Sequence, residues 1–252
     1  MRHFVVAAAL LTSLGVGCAS EEPFDELEAE EETDSSRADG VGEFTYFTVL
    51  RDTRRCAPPA CGGLWVNRVN RAKTTCADGR KANACYVAEL RVADPQLDPG
   101  IVASMTAGIP ISASADTSAD PEPAKLLVRG EIEEADVGGL PAPVFRVDEA
   151  WSGVGVVDGP MVRVRSLDVQ CISAPCDNME ERKLNSSVTA RIADMDLSAI
   201  VDERDQASLV DATGGPDGII ICGRRYSVAP SYKGRRVAAA YQRISIDSQP
   251  AP

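Results

Sequence analysis

The chain has 252 residues, a formal net charge of −12 at pH 7 and 44% hydrophobic residues, of which few are aromatic, so any core must rest on aliphatic side chains. The only histidine is His3, inside an N-terminal stretch that reads as a removable export signal. The mature chain is thereby excluded from Ser-His-Asp and Cys-His nucleophile chemistry and from His-containing zinc sites.

Residues 1–18 combine a cationic start (Met1-Arg2-His3), an apolar run over 4–17 and Cys18, the pattern of a bacterial lipoprotein signal peptide. The run is shorter than the roughly 20 residues that span a bilayer as a helix. This predicts a mature chain that begins at a lipidated Cys18. Gly15 stands where a lipobox usually carries Leu, and ordinary secretion is the alternative. The expected location is the outer membrane or cell surface as a lipoprotein, otherwise periplasmic or secreted. Residues 19–40 hold ten acids (Glu21, Glu22, Asp25, Glu26, Glu28, Glu30, Glu31, Glu32, Asp34, Asp39) against Arg37. So polar a segment cannot offset its ordering entropy and is expected to be a disordered tether.

The remaining chain is expected to be mainly β: two tandem five-stranded barrel-like or sandwich units, over 41–156 and 157–252, each with a short helix between strands three and four. Alternating and continuous apolar runs bounded by Gly and Pro predict strands at 44–51, 64–70, 85–92, 125–132 and 144–151, with a helix near 99–105. The second unit reads likewise: strands 161–167, 180–185, 188–197, 218–222 and 236–244, and a helix over 199–210. Strand order of this kind suits a Greek-key barrel or one sandwich with pseudo-twofold symmetry.

The two-unit reading rests on recurring marks. Cys56-x4-Cys61 and Cys171-x4-Cys176 are each followed by an apolar-Asn pair, Val69-Asn70 and Leu184-Asn185. Further on, Arg146-Val147-x-x-Ala150-Trp151 repeats as Arg236-Val237-x-x-Ala240-Tyr241. Aliphatic strands ending in glycine, at 126–130 and 219–223, lie between. The first copy carries extra loop at 71–84 and 112–123, as a duplicated unit with trimmed loops would.

In an exported chain the cysteines should be oxidised. Local clamps are expected at Cys56 with Cys61, Cys76 with Cys85, and Cys171 with Cys176. Cys222 is left over in an isoleucine strand, either a buried thiol or bridged to Cys171 or Cys176.

The run Arg55-Cys56, Cys61-Gly62-Gly63-Leu64-Trp65-Val66, Arg68-Val69-Asn70, Cys76-Ala77-Asp78-Gly79 and Cys85-Tyr86-Val87-Ala88 resembles a domain of unknown function found in predicted bacterial lipoproteins, most specifically over 44–152. The resemblance implies a location and a cysteine pattern and carries no activity.

Two basic stretches stand out in an acidic chain. One holds Arg51, Arg54, Arg55, Arg68, Arg71, Lys73, Arg80 and Lys81 against Asp52 and Asp78; the other holds Arg224, Arg225, Lys233, Arg235, Arg236 and Arg243. Arg51, Arg54, Arg55, Arg68, Arg71, Arg224, Arg225, Arg235 and Arg236 are candidates for anion binding, to anionic polysaccharide or an envelope component, or else solvated charge that protects sheet edges. Nucleic acid is not expected outside the cytoplasm. Asp194-x-Asp196-x-Ser198 partly fits a calcium loop but lacks its turn glycine and bidentate Glu, so no metal or other cofactor is expected. Glu133-Glu134, Asp148-Glu149 and Asp202-Glu203 could serve carboxylate-only glycan hydrolysis, although sequence neighbours on a strand face opposite ways. Trp65 and Trp151 are expected as core plugs. The leading expectation is a non-catalytic, lipid-tethered protein that binds an envelope component. The alternatives are a protease inhibitor presenting the loops 57–60 and 172–175, and a His-independent glycan hydrolase. Oligomeric state is not legible.

Overall fold

In the computed structural model, residues 45–92, 109, 111–112 and 125–244 are described. The signal, the lipidation residue Cys18, the acidic tether and the helix expected near 99–105 lie outside them. Among the described residues the fold is mainly β, with one short helix and a large antiparallel sheet, and no barrel closes.

In the first half, β1 (Tyr46–Asp52) pairs with β2 (Leu64–Arg68), which pairs with β5 (Cys85–Val87). A small hairpin, β3 (Thr74–Thr75) and β4 (Lys81–Ala82), is inserted between the last two. The chain then forms β6 (Leu90–Val92), β7 (Ile111–Ser112), β8 (Leu126–Val137) and β9 (Leu140–Gly155). The second half repeats the order: β10 (Met161–Ser166), β11 (Met179–Lys183), β12 (Thr189–Ile192), β13 (Asp194–Asp196), helix α1 (Glu203–Thr213), β14 (Ile219–Ala229) and β15 (Tyr232–Ile244). The continuous path is β12-β11-β10-β14-β15-β9-β8-β1-β2-β5, so the halves join through β15 and β9.

The third strand of each half is interrupted where a single strand was expected. After Val87 the chain turns and β6 pairs with β9 in parallel; after Ile192, β13 pairs with β15 in the same way. Each half therefore wraps back on itself through a broken strand.

Register is shared to the residue. Tyr46 opposes Arg129 on β8 as Met161 opposes Cys222 on β14. A bulge follows at Arg129/Gly130 and again at Cys222/Gly223. Both glycines are demanded by close packing: a Cβ would lie 1.9 Å from the carbonyl oxygen of Arg146 at Gly130 and of Arg236 at Gly223. Trp151 and Tyr241 occupy equivalent places and are both buried in one cluster with Tyr46, Leu127, Met161, Ile220 and Cys222.

This arrangement explains the apolar runs. Leu126 and Val128 face a core inside the first half, and Ile219 and Ile221 face one inside the second. Leu127 and Ile220 point to the opposite face, into the cluster shared by both halves. A strand covered on both faces reads as continuous aliphatic sequence.

The halves are also clasped by two asparagines with φ near +55°, a backbone region where Asn is among the few residues tolerated. Asn185 Nδ2 donates to the carbonyls of Tyr46 (2.8 Å) and Val69 (2.7 Å), and its Oδ1 accepts from the Tyr46 N–H (2.8 Å). Asn70 mirrors it: Nδ2 donates to the carbonyls of Met161 (2.7 Å) and Leu184 (3.0 Å), and Oδ1 accepts from the Met161 N–H (3.0 Å). The recurring apolar-Asn mark is thus a reciprocal bridge.

Among the described residues there are three disulfides, Cys56–Cys61, Cys76–Cys85 and Cys171–Cys176, and Cys222 is a buried free thiol. Disulfides persist in oxidising compartments, so these three suggest an extracellular or otherwise oxidising location. Among the described residues no helix is long and apolar enough to cross a membrane.

Candidate ligand-binding groove

Where equivalent positions in the two halves differ, the difference is not required by the shared fold. The first half alone inserts residues 71–84, which carry the β3–β4 hairpin and Cys76; the second half passes from Lys183 to Thr189 by a short turn. Trp65 and Tyr86 oppose each other on β2 and β5, edge to face at 5.7 Å. Their counterparts on β11 and β12 are Glu180 and Arg191.

Around this pair lies a groove of about 580 Å³, walled by Arg54 and Ala60 on one side, by Trp65 and Tyr86, and by Cys76, Asp78, Arg80 and Lys81 of the insertion; Glu134 and Pro143 border it. The Cys76–Cys85 bond fastens the insertion to β5. Tyr86 Oη donates to the Pro59 carbonyl at 2.7 Å and so holds the Cys56–Cys61 loop against the sheet. Gly63 lets that loop sit close, since a Cβ there would lie 2.2 Å from the Val87 carbonyl oxygen.

Arg54 is held in the groove by several contacts. Its guanidinium stands over the rings of Trp65 (4.6 Å) and Tyr86 (5.0 Å). Nε donates to both oxygens of Asp52 at 3.0 Å, and Nη2 lies 3.0 Å from Oδ2. The Asp52 side chain is fully buried and also accepts from the backbone N–H groups of Arg54 and Gly62. Burial alone would raise the Asp52 carboxyl, but the Arg54 side chain and those two N–H groups together hold it below the ordinary carboxylate value. Burial dominates at Tyr86 and raises its phenol. The Arg54 side chain keeps 38% of its surface exposed, and among the described residues Nη1 makes no hydrogen bond.

The other sequence candidates are dispersed. Arg51 and Arg55 are exposed beside the Cys56–Cys61 loop. Arg68 is half-buried, its guanidinium pushed down by burial and then by Arg71. Arg71 donates to the Asn185 carbonyl of the other half, at 2.6 Å from Nη2. On the β14–β15 hairpin, Arg224 faces Arg236 and Arg225 faces Arg235. Acids hold each of the four: Arg224 bonds Asp158, Arg236 bonds Asp196, and Arg225 and the fully buried Arg235 both bond the buried Glu181. Of the nine arginines, only Arg54 lines the groove, joined there by Arg80 and Lys81.

Asp194 accepts from the Tyr226 hydroxyl, and Asp196 from the Ser198 N–H and Arg236. Among the described residues no group of three or more His, Cys, Asp or Glu could hold a metal ion. Of the paired acids, Glu149 is held by Arg129 at 2.6 Å and accepts from Tyr46 and Trp151, while Asp148 sits at the bulge with its carboxyl raised by burial. Trp151 is fully buried, and Trp65 is buried but lends an edge to the groove. Asp52 and Tyr86 were not singled out from sequence as site residues. The available signal was the extra 71–84 loop of the first copy.

A family model described as Domain of unknown function (DUF6748) matches residues 45–242. No curated protein matches, and neither does any solved structure.

Proposed function

Starting from a chain that belongs to the DUF6748 family, whose description names no activity, we propose that this protein is an exported, non-catalytic binding protein of the cell envelope, tethered by lipid at Cys18, that engages a polysaccharide through the first-half groove. One observation carries the reading: the groove is assembled from an insertion, a disulfide and an aromatic pair that the equivalent half does without. A site presenting aromatic edges, hydrogen-bond donors and acceptors on a stiff scaffold suits hydroxyl-rich ligands and keeps the ordering cost of binding low. The disulfides support an oxidising compartment, and the acidic residues 19–40 would hold the domain away from the headgroups.

The inhibitor alternative fits less well. A protease cleft reads an extended segment, and at about 3.3 Å per residue four residues need roughly 13 Å. The Cys56–Cys61 and Cys171–Cys176 rings close over Cα separations of only 5.6 and 6.0 Å.

Two experiments test the proposal. Ala77→Trp fills the groove from an exposed position and is expected to abolish retention on immobilised envelope polysaccharides without lowering the melting temperature; retention equal to wild type refutes the groove as the site. Detergent phase partitioning of the full chain against Cys18→Ala tests the anchor. Partition of both into the aqueous phase refutes lipidation.

A further inference from the structure

The groove's chemistry says more about its ligand. Resting on the polysaccharide-binding reading, we infer that the groove selects an acidic sugar, and that Arg54 is the specificity-determining residue that takes its carboxylate. An arginine meant only to pack or to neutralise Asp52 would be expected to bury its guanidinium. Here Asp52 takes the Nε–Nη2 edge, Nη2 also donates to the Ala60 carbonyl at 3.4 Å, two rings support the plane, and Nη1 makes no hydrogen bond to the described residues, on a side chain still 38% exposed. A guanidinium held in one orientation before the ligand arrives loses little freedom on binding, and Nη1 can donate a charge-assisted hydrogen bond to a carboxylate oxygen.

The charge inventory narrows the class. Arg54, Arg80 and Lys81 line the groove together with Asp78 and Glu134, and Asp52 lies behind Arg54. So balanced a site suits one negative group among hydroxyls, the hydroxyls meeting carboxylate acceptors. It is a poor match for a phosphate monoester carrying about −1.5 to −2. In the second half the position of Trp65 is taken by Glu180, ion-paired with Arg165, and that of Tyr86 by Arg191. That half therefore has no ring pair on which to seat a guanidinium.

Calorimetry on the full chain tests the inference with three probes: a uronic-acid tetrasaccharide, the same tetrasaccharide with its carboxyls reduced to alcohols, and a phosphorylated neutral tetrasaccharide. The uronate is expected to bind at least 10-fold more tightly than either of the others. Arg54→Gln should cost it about 10- to 100-fold, the range of a charge-assisted hydrogen bond, and cost the reduced sugar at least 5-fold less than that. Because Arg54→Gln also disturbs Asp52, the comparison of ligands on the wild-type protein stands as the independent measurement. If the reduced or phosphorylated sugar binds as well as the uronate, and Ala77→Trp abolishes that binding, the acidic-sugar inference falls and the groove reading survives. If no probe binds, both fall.

Discussion

The reciprocal asparagines give a prediction whose size can be worked out. Asn185 is 1% exposed and makes three hydrogen bonds to backbone groups of the first half. Each contributes a net ~1 kcal/mol. Asn185→Gly keeps the positive φ accessible and removes all three bonds, so it should destabilise by about 3 kcal/mol. Asn185→Ala adds the left-handed backbone penalty of about 1–2 kcal/mol and should be worse still. Asn70 makes the mirrored bonds but is only half-buried. Water can replace part of its role, and Asn70→Gly should cost about 1–2 kcal/mol. Since both residues close one interface, the double variant should fall short of the sum. Urea unfolding of the four variants under non-reducing conditions measures this, and the Asn185→Gly melting temperature should drop by roughly 6–12 °C. Asn185→Gly within about 0.5 kcal/mol of wild type, a shift inside the range of an ordinary surface change, would show that the halves are held by the β9–β15 ladder and apolar packing alone. A larger cost at Asn70 than at Asn185 would refute the burial argument.

Glu181, Arg225 and Arg235 form a buried ionic group where the first half has Val66, Ile132 and Phe145. Glu181→Gln should cost about 3–5 kcal/mol by leaving buried charge uncompensated, whereas combining Glu181→Val, Arg225→Ile and Arg235→Phe should be neutral or stabilising; denaturant midpoints decide. Asp52 has a folded-state value below its ordinary one, so its contribution is fully present above about pH 4 and is lost as pH falls through the lower folded value. Glycan binding should therefore hold from neutral pH down to about 4 and weaken below it, and Asp52→Asn should bind weakly at every pH. Burial pushes the Cys222 thiol up to about 11. A thiol-reactive disulfide reagent at pH 8 should leave it untouched in the native protein and titrate it in urea; fast native reaction would contradict its burial.

How much could be read from sequence depended on where the information lay. The doubly buried strands β8 and β14 announce themselves as aliphatic runs, and their ends do not: β8 continues to Val137 through Glu133-Glu134-Ala135, which shows no apolar alternation. The Gly138-Gly139 turn, with both residues at positive φ and Val137 opposite Leu140, was a usable hairpin signal for that extension. Nothing local marks the break in the third strand, because it is imposed by parallel pairing to β9 and β15, 55 and 40 residues downstream. The asparagines were visible as repeated marks, yet their bridging needs both the left-handed backbone and the other half in place. The groove was visible in fragments. Clustering of arginines by sequence suggested two basic faces, but pairing with Asp158, Glu181 and Asp196 takes up the second, and only folding brings Tyr86 beside Arg54.

A chain built from two halves of common register serves as its own control for function. Tyr46, Arg129 and Glu149 form a polar network in the first half at places where the second has Met161, Cys222 and Ala239. The ionic group around Glu181 makes the opposite exchange on the opposite face. Charge and hydrocarbon thus substitute for one another within the same backbone. Perturbed or buried ionisable groups usually point to an active site, but here these two clusters mark alternative packings and lose most of that force. The first-half groove is of another kind. Residues 71–84, the Cys76–Cys85 bond and the seat for Arg54 on Trp65 and Tyr86 answer to nothing on the other side. An elaboration that the shared backbone does not require, and that borders an open groove while resting Ala84 and Cys76 on the first-half core, is the feature of this molecule hardest to account for by folding alone.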